Sequence, residues 1–169
     1  LLALMRLSKN RIVHWLSGAY IAIFRSTPLM VQLAIIYFGV FFIIEVPRVY
    51  IGFVRLDMFL PFVVSLALNS SAYVAEIFRA GILAVDSGQM EAARSLGLSQ
   101  GQAMKLVVLP QAVKNVLPAL ANELVTMVKE SSVCSAYGMG ELMFAAKSVA
   151  GTTLISVGPF VFVAFIYFC

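Results

Sequence analysis

The stretch DSGQMEAARSLGLSQGQAMKLVVLP, residues 86–110, is the most informative part of this sequence for the fold. It is too polar to cross a membrane and too regular to be a loose loop. Its pattern predicts two short helices. The first begins at Asp86 or Ser87 and ends near Gly97, and the second begins at Ser99. Two short helices that meet at a glycine form a rigid projection, which we call the knob.

Both predicted helices carry the signature of a capping box, in which the residue before a helix and a Gln three positions later exchange hydrogen bonds. Gln89 follows Asp86 at this distance, and Gln102 follows Ser99. Such caps satisfy backbone N–H groups that the start of a helix leaves unpaired. The knob is therefore predicted to be ordered rather than slack.

The chain around the knob is strongly apolar. Hydrophobic residues make up 62% of it and charged residues 12%, with a mean hydropathy of +0.97, against about 45–50% and about 25% in globular domains. A soluble domain of this length has no interior for such an excess. We therefore predict an all-α fold, a polytopic bundle of transmembrane helices. The net charge of +4 does not indicate nucleic-acid binding, because the sequence has no dense basic stripe with interleaved aromatics.

Four stretches are predicted to span the bilayer: residues 28–44, 58–78, 112–130 and 153–169. The first would reach about 25 Å as a helix, close to the ~30 Å of the hydrocarbon core. Since no soluble domain or long linker interrupts them, we predict a single membrane domain over residues 1–169. The apolar runs at both ends suggest a fragment of a longer chain.

The distribution of positive charge predicts the orientation. Eight of the twelve Lys and Arg residues lie in the segments 1–27 and 79–114. Loops rich in Lys and Arg remain in the cytoplasm, by the positive-inside rule. The knob is therefore predicted to be cytoplasmic, and the loop at residues 45–57 external.

The second and third predicted spans contain polar and ionisable side chains, which are costly in lipid and should face the bundle interior or a wet cavity. There they would balance both charges of a zwitterionic solute. The predicted solute pathway consists of Asn69, Tyr73, Glu76, Asn122, Glu123, Lys129 and Glu130. The alternative is structural: Glu76 would pair with Arg79, and Lys129 with Glu123 or Glu130, to fix helix packing.

The knob also carries a motif: Glu-Ala-Ala, three residues, Gly, nine residues, an aliphatic residue, one residue, then Leu-Pro. This resembles the signature of permeases of ATP-binding-cassette (ABC) importers. The resemblance implies the MetI-like permease fold, roughly five spans in the intact protein, and a knob that docks on a separate cytoplasmic ATPase. The implied ATPase-coupling residues are Glu91, Ala92, Ala93, Gly97, Leu109 and Pro110. A helix pair lying on the membrane surface is the alternative, but it explains neither the spacing nor the Leu-Pro pair.

Further stretches resemble the polar amino acid permeases of the histidine/glutamine type: FRSTPLMVQL at 24–33, LNSSAYVAEIFRAGI at 68–82 and NELVTMVKESS at 122–132. This resemblance implies a multi-pass protein of the bacterial cytoplasmic (inner) membrane that carries polar amino acids. The implied partners are the ATPase, an extracytoplasmic solute-binding protein and a second permease copy or a sister permease. It implies no cofactor.

Other classes fit the sequence less well. A proton-coupled secondary carrier would show inverted repeats with interrupted helices, and an ion channel a ring of charges or a carbonyl filter; the sequence shows neither. An enzyme is disfavoured because the one histidine, His14, belongs to no His-Glu-x-x-His or other catalytic motif. We assign no catalytic or metal-binding residues and give Cys134 and Cys169 no role. Without a phosphate-binding loop, ATP hydrolysis is expected on a partner chain.

Overall fold

The protein is described here by a computed structural model that covers residues 1–44, 46–52 and 54–169, and helices dominate it. The elements in chain order are α1 (Leu2–Arg6), α2 (Arg11–Ser26), α3 (Leu29–Ile43, with a π-helical stretch at Ile35–Val40), β1 (Tyr50–Ile51), β2 (Val54–Arg55), α4 (Leu56–Leu83), α5 (Ser87–Ser95), α6 (Gln100–Ala103), a π-helical turn (Met104–Val108), α7 (Leu109–Glu130), a 3-10 turn (Ser131–Tyr137), α8 (Leu142–Thr153) and α9 (Gly158–Phe168).

Helices α3, α4, α7 and α9 lie where the four spans were predicted. Among the described residues, α4 is the one helix that is by itself long and apolar enough to cross a membrane. Helices α2 and α3 reach this standard only when taken together as one interrupted span. Helix α7 has 22 residues but four charged side chains, and α9 is apolar but has 11 residues. The membrane placement of all four predicted spans, α4 included, stays a prediction.

The knob differs from the expectation at its C-terminal end. Two short helices were predicted within residues 86–110, but α6 continues through the π-helical turn directly into α7. Pro110 lies in the first turn of α7. A proline at this position costs little stability. Its missing N–H follows a widened turn that already departs from the α-helical hydrogen-bond pattern. The knob and the third predicted span are thus one continuous helical rod.

The described residues group into two compact units. The first contains Leu1–Ser26 and Leu68–Val125, and the second contains Thr27–Ala67 and Thr126–Cys169. Helices α4 and α7 contribute to both units.

Small residues bring the helices of the first unit close together. Ala72 and Ala75 of α4 are buried against Ala3 and Ile21. A Cβ atom added at Gly81 of α4 would lie 2.2 Å from a methyl carbon of Val116 on α7. Since a contact this short forces neighbouring atoms to shift, α4 and α7 approach closely at a point where any larger residue would disturb their packing.

The second unit holds a short hairpin in the segment predicted to be an external loop. Strands β1 and β2 pair antiparallel, with Tyr50 opposite Arg55. The Arg55 guanidinium donates to the Asp57 carboxylate at 2.6 Å. This hydrogen bond and the negative charge of Asp57 raise the pKa of Arg55. The loop predicted here therefore contains two short strands that the sequence did not indicate.

A buried thiol lies in the 3-10 turn of the second unit. Cys134 is 2% exposed, and burial raises the pKa of its thiol to about 12. A thiol with so high a pKa is held in its neutral form near neutral pH.

Candidate functional site

The knob begins with α5, whose first turn is capped by Asp86. The Asp86 carboxylate accepts a hydrogen bond from the Gly88 N–H at 2.6 Å, which confirms Asp86 as the N-cap. The predicted capping box does not form, because the Gln89 side chain accepts a hydrogen bond from Gln111 Nε2 at 3.3 Å instead. Gln89 therefore ties the knob to α7 rather than to its own cap.

The end of α5 is a Schellman turn. The Leu98 N–H donates to the Ala93 carbonyl at 3.2 Å and the Gly97 N–H donates to the Arg94 carbonyl at 3.0 Å. Gly97 has φ of +89°, in the left-handed region that glycine adopts without penalty. The predicted turn at Gly97 is confirmed.

The second half of the knob starts with the capping box that the sequence predicted. Ser99 Oγ accepts from the Gln102 N–H, and Gln102 Oε1 accepts from the Ser99 N–H at 2.9 Å. Both reciprocal bonds are present, so α6 is fixed at its first residue. Together with the Schellman turn, the box sets the direction of the chain between α5 and α6.

The knob presents a small, mixed surface. Glu91, Ala92 and Leu96 are exposed, and Leu96 is 86% exposed. Ala93, by contrast, is 4% exposed and turns inward. A carboxylate on one short, fixed helix and an uncovered leucine directly after it suit contact with another protein. Of the other candidate coupling residues, Gly97, Leu109 and Pro110 are also at the surface.

The predicted pathway residues of α4 face α2 within the first unit. Asn69 is buried, and its Nδ2 donates to the Phe24 carbonyl at 3.4 Å. The Arg25 guanidinium lies over the Tyr73 ring, 5.4 Å from its centroid. This face of α4 is therefore packed against protein rather than directed to lipid, as its polarity predicted.

Glu76, the third residue on that face, forms the ion pair that the structural alternative described. Arg79 Nε donates to both Glu76 carboxylate oxygens at 3.0 Å, and Arg79 Nη2 makes a further contact. The pair is half-buried and lies within a single helix. This carboxylate already has a fixed cationic partner from its own chain.

The pathway residues of α7 have different surroundings. Glu123 Oε1 accepts from Ser70 Oγ at 3.2 Å, which joins α7 to α4. Asn122 is exposed. Lys129 is exposed and Glu130 half-buried at the end of α7, in the second unit. The predicted pairing of Lys129 with Glu123 or Glu130 stays a prediction.

Several contacts in the structure were not predicted from the sequence. Ser70 was overlooked because it lies one position from Asn69 and so falls on a different face of α4. Arg25 was read only as a topological charge, although it lies in the quoted FRSTPLMVQL stretch. The bond from Lys147 Nζ to Ser135 Oγ, 2.9 Å long, was also missed. Its two residues are 12 positions apart, with no pattern to connect them.

A mostly helical fold with a capped knob between two long helices agrees with the predicted class, a membrane transport permease. Residues 1–169 match the family described as binding-protein-dependent transport system inner membrane component. The chain belongs to this family, whose members have the MetI-like fold, and the predicted ABC permease class is thereby confirmed.

Individual relatives agree. The chain is 43% identical over 167 residues to the "Arginine transport system permease protein ArtQ" of Bacillus subtilis (strain 168), covering 99% of this chain and 73% of that protein. It is 41% identical over 168 residues to the "Putative glutamine transport system permease protein GlnP" of Rickettsia bellii (strain RML369-C), with coverage of 99% and 73%.

A solved structure described as "an amino acid ABC transporter with histidines" matches with a TM-score of 0.86 and 44% identity, over 99% of this chain and 74% of that one. These comparisons give no support to a proton-coupled secondary carrier.

Proposed function

We propose that this chain carries polar amino acids across the bacterial cytoplasmic (inner) membrane as the permease of an ABC importer. The names of the relatives, which refer to arginine, glutamine and amino acids, support this cargo. ATP is hydrolysed on a separate cytoplasmic ATPase. A solute-binding protein delivers the cargo outside, and a second permease copy or a sister permease completes the membrane part.

The observation that carries the coupling mechanism is the construction of the knob. Helix α5 is fixed at its start by Asp86 and at its end by the turn at Gly97. The Gln111–Gln89 bond joins it to α7, and α6 is continuous with α7. A push on the exposed Glu91 and Leu96 would therefore move α7 as a rigid body, since no slack segment lies between them.

The solute pathway remains a proposal for the seven residues that the sequence identified. Glu123 supports a solute pathway best. Within the described part of the chain, its carboxylate accepts one hydrogen bond, from the neutral Ser70 hydroxyl. A carboxylate with a neutral hydroxyl partner can still receive the ammonium group of an amino acid. Glu76 supports it least, because Arg79 already neutralises its charge.

The test is ATP-driven uptake by the intact permease, reconstituted with its ATPase and solute-binding protein. We compare labelled arginine and glutamine for the wild type, Glu91→Lys and the control Lys114→Glu, an exposed charge reversal outside the knob. Glu91→Lys should lower uptake and cargo-stimulated ATP hydrolysis about tenfold or more, the effect of losing one important interface residue. Lys114→Glu should change little.

Three results would count against the proposal. Uptake that survives Glu91→Lys would remove the knob from coupling. Equal losses in Glu91→Lys and Lys114→Glu would show a general charge effect. Uptake that follows a proton gradient without ATP would overturn the importer itself.

A further inference from the structure

Helix α2 has an apolar stripe that no part of the described chain covers. Ile12, Trp15, Leu16 and Ile23 are 70%, 70%, 53% and 59% exposed. At 100° per residue these positions fall on one side of the helix. The opposite side is packed, with Ser17 and Ile21 buried at 1% and 6% exposure. Helix α2 therefore has one face against its own unit and one apolar face outward.

Positive charge flanks this stripe at the start of α2. Lys9 and Arg11 are both exposed, and neither takes part in an ion pair within the described residues. Residues 1–44 contain four Lys and Arg residues and no Asp or Glu. The two cations thus have no nearby carboxylate in sequence to balance them, unlike Arg55 and Arg79, which have Asp57 and Glu76.

A membrane surface fits this combination better than a protein partner does. An exposed tryptophan beside aliphatic side chains suits the level of lipid headgroups, where its ring is both apolar and polar. Exposed Lys and Arg at the same level attract anionic lipids. Zwitterionic lipid would satisfy the apolar stripe alone, but it would leave the excess positive charge unmatched.

We propose that α2 lies in the headgroup layer of the cytoplasmic leaflet and that Lys9 and Arg11 bind the phosphate groups of anionic phospholipids. This proposal rests on the membrane orientation predicted from the charge distribution. It adds a lipid-binding surface that is separate from the knob and from the solute pathway.

Trp15 provides a direct probe because it is the single tryptophan of this sequence. The intact permease–ATPase complex is reconstituted in membranes with equal parts of phosphatidylcholine and phosphatidylglycerol. In one preparation the acyl chains of phosphatidylglycerol are brominated, and in the other those of phosphatidylcholine. Bromine quenches the fluorescence of nearby tryptophan. The same measurement on Trp15→Phe gives the fluorescence of the tryptophans in the partner chains, and subtracting it isolates the signal of Trp15.

At low salt, brominated phosphatidylglycerol should quench Trp15 up to about fivefold more than brominated phosphatidylcholine, the enrichment that one cation near the surface can give. The ratio should fall towards one at high salt, since exposed charges are screened. It should also fall in the double variant Lys9→Gln/Arg11→Gln. The matched double variant Arg48→Gln/Lys114→Gln, which removes the same charge elsewhere, should keep it. Size-exclusion profiles check that each complex is intact.

The outcomes separate this proposal from the broader one. Equal quenching by the two lipids at low salt would leave α2 in the membrane but overturn the preference for anionic lipid. Absence of quenching by either lipid would overturn the position of α2. Quenching that is present in the permease alone and lost when the ATPase binds would show that a protein partner, rather than lipid, covers the stripe. None of these results would affect ATP-driven uptake as evidence for the importer.

Discussion

The knob and the polar face of α4 belong to the same unit. The hydrogen bonds that stabilise each of them join residues at very different separations in the sequence. The bonds of the knob join Asp86 to Gly88 and Ser99 to Gln102, two and three positions apart. On α4, by contrast, Asn69 of the polar face bonds to Phe24, and Ser70 of the adjoining face bonds to Glu123, 45 and 53 positions away. The conformation of a local motif is set by its own residues, whereas the contacts of a helix face depend on which helix packs against it.

The largest expected effect concerns the contact between α4 and α7. In Gly81→Ala, the new Cβ would lie 2.2 Å from Val116 Cγ2 and 3.3 Å from the Ala112 carbonyl oxygen. We expect the free energy of unfolding to fall by about 1–3 kcal/mol because of overpacking. Thermal unfolding of the detergent-solubilised protein measures it.

Two further variants sharpen this prediction. Gly101→Ala places a Cβ where nothing lies within 4 Å, so its stability should not decrease. Val116→Ala combined with Gly81→Ala should recover part of the loss, because it removes the methyl groups that clash. If Gly81→Ala is as stable as Gly101→Ala, the close contact between the helices is wrong.

The second prediction concerns the turn between α5 and α6. Gly97→Ala forces a Cβ into a backbone with φ of +89°, at a cost of about 1–2 kcal/mol. Because the knob is held by local bonds, the loss should be local as well. Hydrogen exchange should accelerate at the amides of α5 and Leu98 and remain unchanged in the middle of α4. Equal acceleration in both regions would show that the two are not independently stabilised.

The third prediction compares the two helix starts of the knob. Ser99→Ala and Gln102→Ala should each expose the α6 amides, with Ser99→Ala costing about 1 kcal/mol, and the double variant should cost less than the sum because both belong to one box. Asp86→Ala should have an effect of similar size on α5. Gln89→Ala should leave the start of α5 unchanged, since its side chain bonds to Gln111 instead. Amide exchange that responds to Gln89→Ala as strongly as to Asp86→Ala would contradict this arrangement.

The same contrast explains what the sequence could predict. The N-cap at Asp86, the turn at Gly97 and the box at Ser99 follow from residues near each other in the chain, and all three are confirmed. The positions of the long helices follow from hydropathy. The diversion of Gln89 to α7 could not be predicted, because it requires knowing where α7 lies.

The polar residues of α4 show the limit most clearly. Asn69, Tyr73 and Glu76 stand at i, i+4 and i+7 and so share one face of the helix, but this spacing does not show that α2 covers it. Nor did periodicity reveal Ser70, which points to Glu123 from the next position. Whether Glu76 serves packing or cargo was left open, and the structure shows an ion pair with Arg79 without testing transport.

The smallest expected effect decides that question. A half-exposed pair three positions apart on one helix contributes about 0.2–0.5 kcal/mol, so Glu76→Gln and Arg79→Gln should each lower the unfolding temperature only slightly. If the pair is structural, the two single variants and the double variant should also transport labelled amino acids at similar, nearly wild-type rates.

A pathway role for Glu76 predicts a different pattern of uptake. Its carboxylate would then contact the ammonium group of the cargo, and Arg79 would matter only by orienting it. Glu76→Gln would lower uptake far more than Arg79→Gln while the stabilities of the two variants remained equal. Because the variants remove opposite ends of the same ion pair, equal stability with unequal transport cannot arise from lost packing, and it would return Glu76 to the solute pathway.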